Sequence, residues 1–235
     1  MKTRRVHKVP MVLALALFLF RGPASAKPIP SVEEIVRRSN LAAYYQGKDG
    51  RSRVKMTITD RAGRTRRREF TILRRDTEEG GRQKFYVYFH RPSDVRRMVF
   101  MVWKNPGRED DRWLYLPALD LVRRIAASDK RSSFVGSHFF YEDVSGRGIE
   151  EDRHELVRTE ENRFVLKNTP VDPSAVEFAH YLLWIDRKTY LPMKAEYYDK
   201  NGKRYRVIES LEVRTIQGHP TVTRARARDL VSGGQ

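Results

Sequence analysis

Six histidines and two carboxylate triplets are the residues of this 235-residue chain whose types could carry chemistry. His7, His90, His138, His154, His180 and His219 stand singly, with no pair at helical spacing. His154-Glu155 begins as a zinc-protease motif does, but Arg158 occupies the place of the second histidine ligand. Glu109-Asp110-Asp111 and Glu150-Glu151-Asp152 could hold calcium or divide acid and base roles between them. Set among glycines and arginines, they read instead as solvated loop tips. The chain has no cysteine, which excludes a thiol nucleophile, a thiolate-held metal, a disulfide framework and a lipid-bearing N-terminal cysteine. It also lacks a nucleophile elbow, a P-loop and a dinucleotide glycine fingerprint. The sequence therefore predicts no catalytic residue, no metal site and no cofactor.

What remains is apolar. Strand-like runs supply Met56, Ile58, Phe85, Phe89, Phe100, Val102, Trp113, Tyr115, Leu183 and Trp184. Phe134 and Phe140 lie in a stretch rich in Gly, Ser and Asp, where large aromatics must find something to pack on. Two readings stand side by side: a loop folded back as a plug in an ordinary core, or an aromatic lid over an apolar pocket. Pleating puts Trp113 and Tyr115 on one face and Leu114 and Leu116 on the other, and the sequence does not say which face looks inward.

The elements that must hold these residues are mostly strands. Ser31 and Glu34 form a capping box ahead of Val32, Ile35, Val36 and Ala43, predicting a helix over 31–45. From Val54 the apolar period is two, and turns recur at Asp60-Arg61-Ala62-Gly63, Glu78-Glu79-Gly80-Gly81 and Asp199-Lys200-Asn201-Gly202. Pro117 should stop the strand that contains Trp113. Further strands are expected near 153–159, 163–167, 178–186, 190–199, 203–214 and 221–228. The fold class is mainly β with a few helices (α+β): about ten short strands in one antiparallel meander, curved or barrel-like.

Residues 1–26 read as a cleaved signal peptide, with a basic start, ten apolar residues at 11–20 and Ala24-Ser25-Ala26 as the cleavage pattern. Ten residues rise only about 15 Å as a helix, half the hydrocarbon thickness of a bilayer. Cleavage leaves 209 residues with 42 Lys and Arg against 30 Asp and Glu, a net +12. Residues 27–235 are then a single exported domain, and export makes nucleic acid a poor partner. The basic excess suits an anionic headgroup surface or an acidic partner, with Arg64, Arg66, Arg67, Arg68, Arg123 and Arg124 as its candidate residues.

Across residues 111–143 the order of short elements resembles the outer membrane lipoprotein-sorting family, the LolA-like periplasmic carriers. The resemblance rests on the run 113–117 ending in Tyr-Leu-Pro, Arg123-Arg124, Ser128-Asp129-Lys130, Ser133-Phe134-Val135-Gly136-Ser137 and Tyr141-Glu142-Asp143. Val135 and His138 depart from the family's pattern, where a larger apolar residue and an acid are expected. The resemblance implies a highly curved antiparallel sheet, an incomplete barrel closed by helices over an apolar cavity. It implies carriage of lipid or lipoprotein acyl chains through the periplasm, from an inner-membrane transporter to an outer-membrane acceptor, with transient contact with an anionic membrane surface. Relatives usually continue past a turn such as Ser232-Gly233, so the resemblance further implies a shortened member or a sequence lacking its last strand. The alternative is a noncatalytic adaptor that docks on an exporter or an acidic polymer through its basic face.

Overall fold

The computed structural model describes residues 29–235, so the signal peptide expected at 1–26 lies outside the described residues. Helix α1 (Val32–Tyr44) starts at the predicted N-cap, where Ser31 Oγ accepts the Glu34 N–H at 3.2 Å. The reciprocal half of the capping box is absent, since the Glu34 carboxylate accepts from Arg37 and Arg38 instead. Ile35 and Val36 form its buried stripe. Its C-terminal carbonyls are collected by side chains of the strands that follow. The Arg74 guanidinium donates to the carbonyls of Tyr44, Gln46 and Gly47, and Gln83 Nε2 donates to Tyr44 O at 2.8 Å.

Twelve strands follow, and each pairs antiparallel with its neighbour in sequence. Strands β1 (Asp49–Thr59), β2 (Thr65–Asp76), β3 (Gln83–Arg91), β4 (Val99–Lys104), β5 (Asp111–Leu116) and β6 (Leu121–Ile125) make the first sheet. After residues 126–151, which hold 3-10 turns and helix α2 (Tyr141–Ser145), the second sheet comprises six more. These are β7 (Asp152–Thr159), β8 (Arg163–Pro170), β9 (His180–Asp186), β10 (Pro192–Tyr198), β11 (Arg204–Ile216) and β12 (His219–Asp229). The expected single meander is thus two six-stranded sheets and not a closed barrel. Pro117 does end β5, in a 3-10 turn with Asp120 at φ 45, but the chain then returns at once as β6. The Asn-Gly hairpin between β10 and β11 forms as expected, with Asp199 accepting the N–H groups of Asn201 and Lys203.

The connecting segment 126–151 packs on the first sheet. Phe134, 3% exposed, is the hub of an aromatic cluster, its ring 5.6–5.9 Å from those of Phe70, Phe89, Phe100 and Tyr141. Beside it, Val135 is held at φ 51, a left-handed conformation that a β-branched side chain resists. Gly146 lies at φ +77, where an added Cβ would fall 2.4 Å from the Tyr44 ring. Only glycine lets α2 end this close to α1.

At the far edge of the first sheet, Thr59 exchanges two backbone hydrogen bonds with Gln235, at 2.7 and 3.0 Å. The turn that follows β12 therefore meets β1 at its end.

Candidate functional site

A hollow of about 960 Å³ lies among α1, the starts of β1 and β12, and the inward face of the second sheet. Its apolar wall combines Val36 and Ala42 of α1 with Leu166, Leu183, Ile185, Ala195, Ile208 and Val222 of the second sheet. Ile72, Phe85, Phe139 and Val144 add to it from the first sheet and the connecting segment. The alternation of β9 explains the split: Tyr181, Leu183 and Ile185 look into the hollow, while Trp184 points the other way, beneath the Lys194 ammonium 3.7 Å from its ring. The lining runs out to Gly50, Arg51 and Ser52 of β1 and Ala225 of β12, all exposed, so the hollow reaches solvent between the two edge strands.

One side of the hollow is charged. Glu142, Asp143 and Arg147 line it and belong to a buried network in the segment before β7. Arg131 Nη1 donates to Glu142 Oε2 at 2.6 Å, Lys130 Nζ to Glu151 at 2.8 Å and Arg147 Nε to Asp152 at 2.9 Å. Tyr181 Oη donates to the same Asp152 oxygen at 2.9 Å. Arg206 pairs with Asp143 and lies 3.8 Å from the centroid of Phe140, which the Arg131 guanidinium also faces. Buried charges persist only when paired and hydrogen-bonded; every charge of this network is paired, although Arg206 Nε and Nη1 and Asp152 Oδ1 find no hydrogen-bond partner.

The carboxylate triplets are only in part solvated loop tips: Glu109 and Glu150 are exposed, and the others are paired. Asp110 pairs with the buried Arg112 at 2.7 Å, Asp111 with Arg124 at 2.6 Å, and Glu151 and Asp152 with the cations just named. Glu150 accepts the Gly107 N–H at 3.0 Å. Cations of the same segments fold back onto them, and among the described residues no carboxylate or histidine cluster has metal-binding geometry. A second, polar pocket of about 430 Å³ borders the first, sharing Asn40, Arg147, Gly148 and Ile149. Lys104 lines it, and burial lowers the pKa of its ammonium, with Asp110 opposing the shift.

The twelve apolar residues singled out from the sequence fall in three places. Phe85 and Leu183 line the hollow. Met56, Ile58, Phe89, Phe100, Val102 and Phe134 are on the inward side of the first sheet, where Phe134 takes the role of plug, and Phe140 is held between arginines. Trp113, Tyr115 and Trp184 stand on outward faces, so Leu114 and Leu116 are the inward pair of β5. Of the basic residues, Arg64, Arg66, Arg67, Arg123 and Arg124 are exposed, whereas Arg68 is buried against Asp94 at 3.2 Å and does not belong to an open surface. Sequence reasoning missed the wall from α1, Met193, Ile208 and Val222. Its one available signal was the small Ala42-Ala43 pair on a helix whose buried residues are Ile35, Val36 and Ser39.

Glu177 closes the network at its rim. Burial pushes its carboxyl up, but hydrogen bonds and charge from Arg131, with a further bond from Tyr205 Oη at 2.7 Å, outweigh that and hold it at about 2. A carboxylate depressed from 4.5 to about 2 contributes stability that is complete above pH 4.5 and disappears as pH falls towards 2. Glu177→Gln should therefore lose stability relative to the parent at pH 7, and the gap should shrink steadily between pH 4.5 and 2. Urea unfolding at four pH values checks this, and a gap constant with pH would refute it.

Among the described residues, no helix is long and apolar enough to cross a membrane. A family model described as an uncharacterized protein matches residues 81–235. No curated protein matches the chain. Among solved structures, a DUF1329 family protein from Desulfovibrio piger is 27% identical, with 86% of each chain covered and a TM-score of 0.78. A protein described as an outer membrane lipoprotein-sorting protein domain from Vibrio parahaemolyticus is 26% identical, again over 86% of each chain, with a TM-score of 0.77. A LolA superfamily protein from Nitrosomonas europaea shares the fold at 19% identity and a TM-score of 0.67, covering 88% of this chain and 89% of its own.

Proposed function

The chain belongs to the uncharacterized-protein family whose model spans residues 81–235, and from that premise we propose that it is a noncatalytic periplasmic carrier of lipid or lipoprotein acyl chains. One observation carries the reading: a hollow of about 960 Å³, with an apolar wall opposite a charged side, that reaches solvent between two edge strands. Its volume is at the upper end of ordinary ligand sites. The similarity to lipoprotein-sorting and LolA superfamily structures supports the same reading.

The energetics suit carriage. Each methylene exposed to water costs about 0.8 kcal/mol, so a sixteen-carbon chain stands near 13 kcal/mol out of solution. A carrier must remove most of that surface from water and still let go. Aliphatic walls attract by area without directional bonds, whereas a polar clamp would slow release. In this reading α1 covers the hollow, the cargo enters between β1 and β12, and a membrane transporter and an acceptor stand at the two ends of the route.

The test is extraction of the gently purified protein for lipid mass spectrometry, together with titration of a fluorescent acyl probe. Co-purified acyl lipid and saturable probe binding are expected. A protein that yields no lipid and ignores the probe would instead be an adaptor working through its basic face.

A further inference from the structure

The outward face of the first sheet has the composition of a surface that does not end in water. Register places Leu73, Tyr86, Met101 and Trp113 in one row across β2 to β5, flanked by Arg51 on β1 and Arg124 on β6. In the next row Trp103 stands 47% exposed, its ring 5.2 Å from that of Trp113 and 4.5 Å from the Lys84 ammonium. Leu73 and Tyr86 are similarly exposed, at 42% and 40%. An apolar strip of this kind, open on six paired strands, is uncommon on a soluble surface.

The charges around the strip are unequal. Strand alternation puts Arg53, Lys55, Arg67 and Arg75 on this face besides Arg51, Lys84 and Arg124, against the carboxylates of Asp49, Glu69 and Asp111. Glu69 and Asp111 are already engaged by Arg53 and Arg124. The second sheet exposes Val157, Leu211 and Ile216 but no tryptophan, since Trp184 is buried beneath Lys194.

We propose that this face docks on an anionic phospholipid surface, with Trp103 and Trp113 at headgroup depth and the surrounding cations on lipid phosphates. Tryptophan and tyrosine favour the boundary between headgroups and acyl chains because one end of each ring is apolar and the other polar. Cations near an anionic leaflet add to the attraction in a salt-dependent way. A second copy of the chain is a poor occupant, because face-to-face pairing would oppose like charges. Arg51 both begins the apolar row and lines the mouth of the hollow, so docking on this face brings the opening to the edge of the contact. The inference goes beyond the carrier reading and stands without it, since a docked protein with a filled interior would behave identically here.

Sedimentation with vesicles of phosphatidylglycerol and phosphatidylcholine in equal parts, against phosphatidylcholine alone, tests it. The protein should bind the anionic vesicles at least about tenfold more tightly, lose that binding as salt rises, and blue-shift its tryptophan emission. Trp103→Ser with Trp113→Ser, and separately Arg75→Glu with Lys84→Glu, should each weaken binding about tenfold or more while circular dichroism stays unchanged. Arg163→Glu, an exposed cation of the second sheet, should bind as the parent does. Absence of vesicle binding, parental binding by both double variants, or an equal loss in Arg163→Glu would each overturn the proposal. Retention on immobilised polyglutamate without vesicle binding would replace the membrane by an acidic protein partner.

Discussion

Glu142→Ala should cost about 3–5 kcal/mol in urea unfolding, a large share of the 5–15 kcal/mol that holds a typical domain together. Glu142 is 3% exposed, and three cations converge on its carboxylate: Arg131 at 2.6 Å, Arg147 at 3.4 Å and Lys130 at 3.7 Å. Burial lowers the pKa of all three, yet Glu151 at Lys130, Glu177 at Arg131 and Asp152 at Arg147, with Glu142 adding to each, more than compensate, so each is held above its ordinary value. Removing the carboxylate leaves three cations around a vacated buried position, each still held by another partner: Glu151 for Lys130, Glu177 for Arg131 and Asp152 for Arg147. The loss is larger than the pair's net worth, because three like charges then face one another with the shared carboxylate gone. Glu142→Gln preserves the shape and one acceptor oxygen, and should recover part of the loss. A cost below about 1 kcal/mol for Glu142→Ala would mean that the network is hydrated and that its geometry does not govern stability.

The same residues show how far the sequence could be read. Tyr141-Glu142-Asp143 and Ser128-Asp129-Lys130 were legible as a resemblance, and they prove to supply the network that ties the connecting segment to the second sheet. Lys130 and Arg131 reach Glu151 and Glu177, and Arg206 of β11 reaches Asp143. Their charge gave no sign of burial, since a run of Arg, Lys and Glu looks the same on a loop tip as in a paired interior. Local rules fared better. The N-cap at Ser31, the period-two strands and the Asn-Gly hairpin depend on neighbours within a few residues, and those are written side by side in the chain. The division into two sheets depends on where residues 126–151 fold back, which no local period encodes. Facing was likewise beyond reach for β5. Trp113 and Leu114 are both apolar, and only the packing of Phe134 against Phe100 fixes which side of the first sheet is inward. The wall of the hollow was the least legible part, because it is assembled from a helix and strands more than a hundred residues apart.

That assembly allows the hollow to be filled without disturbing the network. Ala42 on α1 and Ala225 on β12 both line it, and neither is fully buried, so larger side chains can extend into the open volume. Ala42→Trp combined with Ala225→Trp should leave the unfolding midpoint within the range of a mild overpacking cost, about 1–3 kcal/mol. Binding should respond far more. If the two indoles deny burial to about four methylenes of an acyl chain, affinity falls by about 3 kcal/mol, or roughly two-hundredfold. The measurement is titration with acyl probes of increasing length. The double variant should match the parent for short chains, which still fit beside the indoles, and fall behind as the chain lengthens. Ala62→Trp, in the exposed turn between β1 and β2, controls for an added indole and should bind as the parent does. Equal loss at every chain length would locate the probe elsewhere, since only a contact whose size is limited by the hollow makes affinity depend on length in this way.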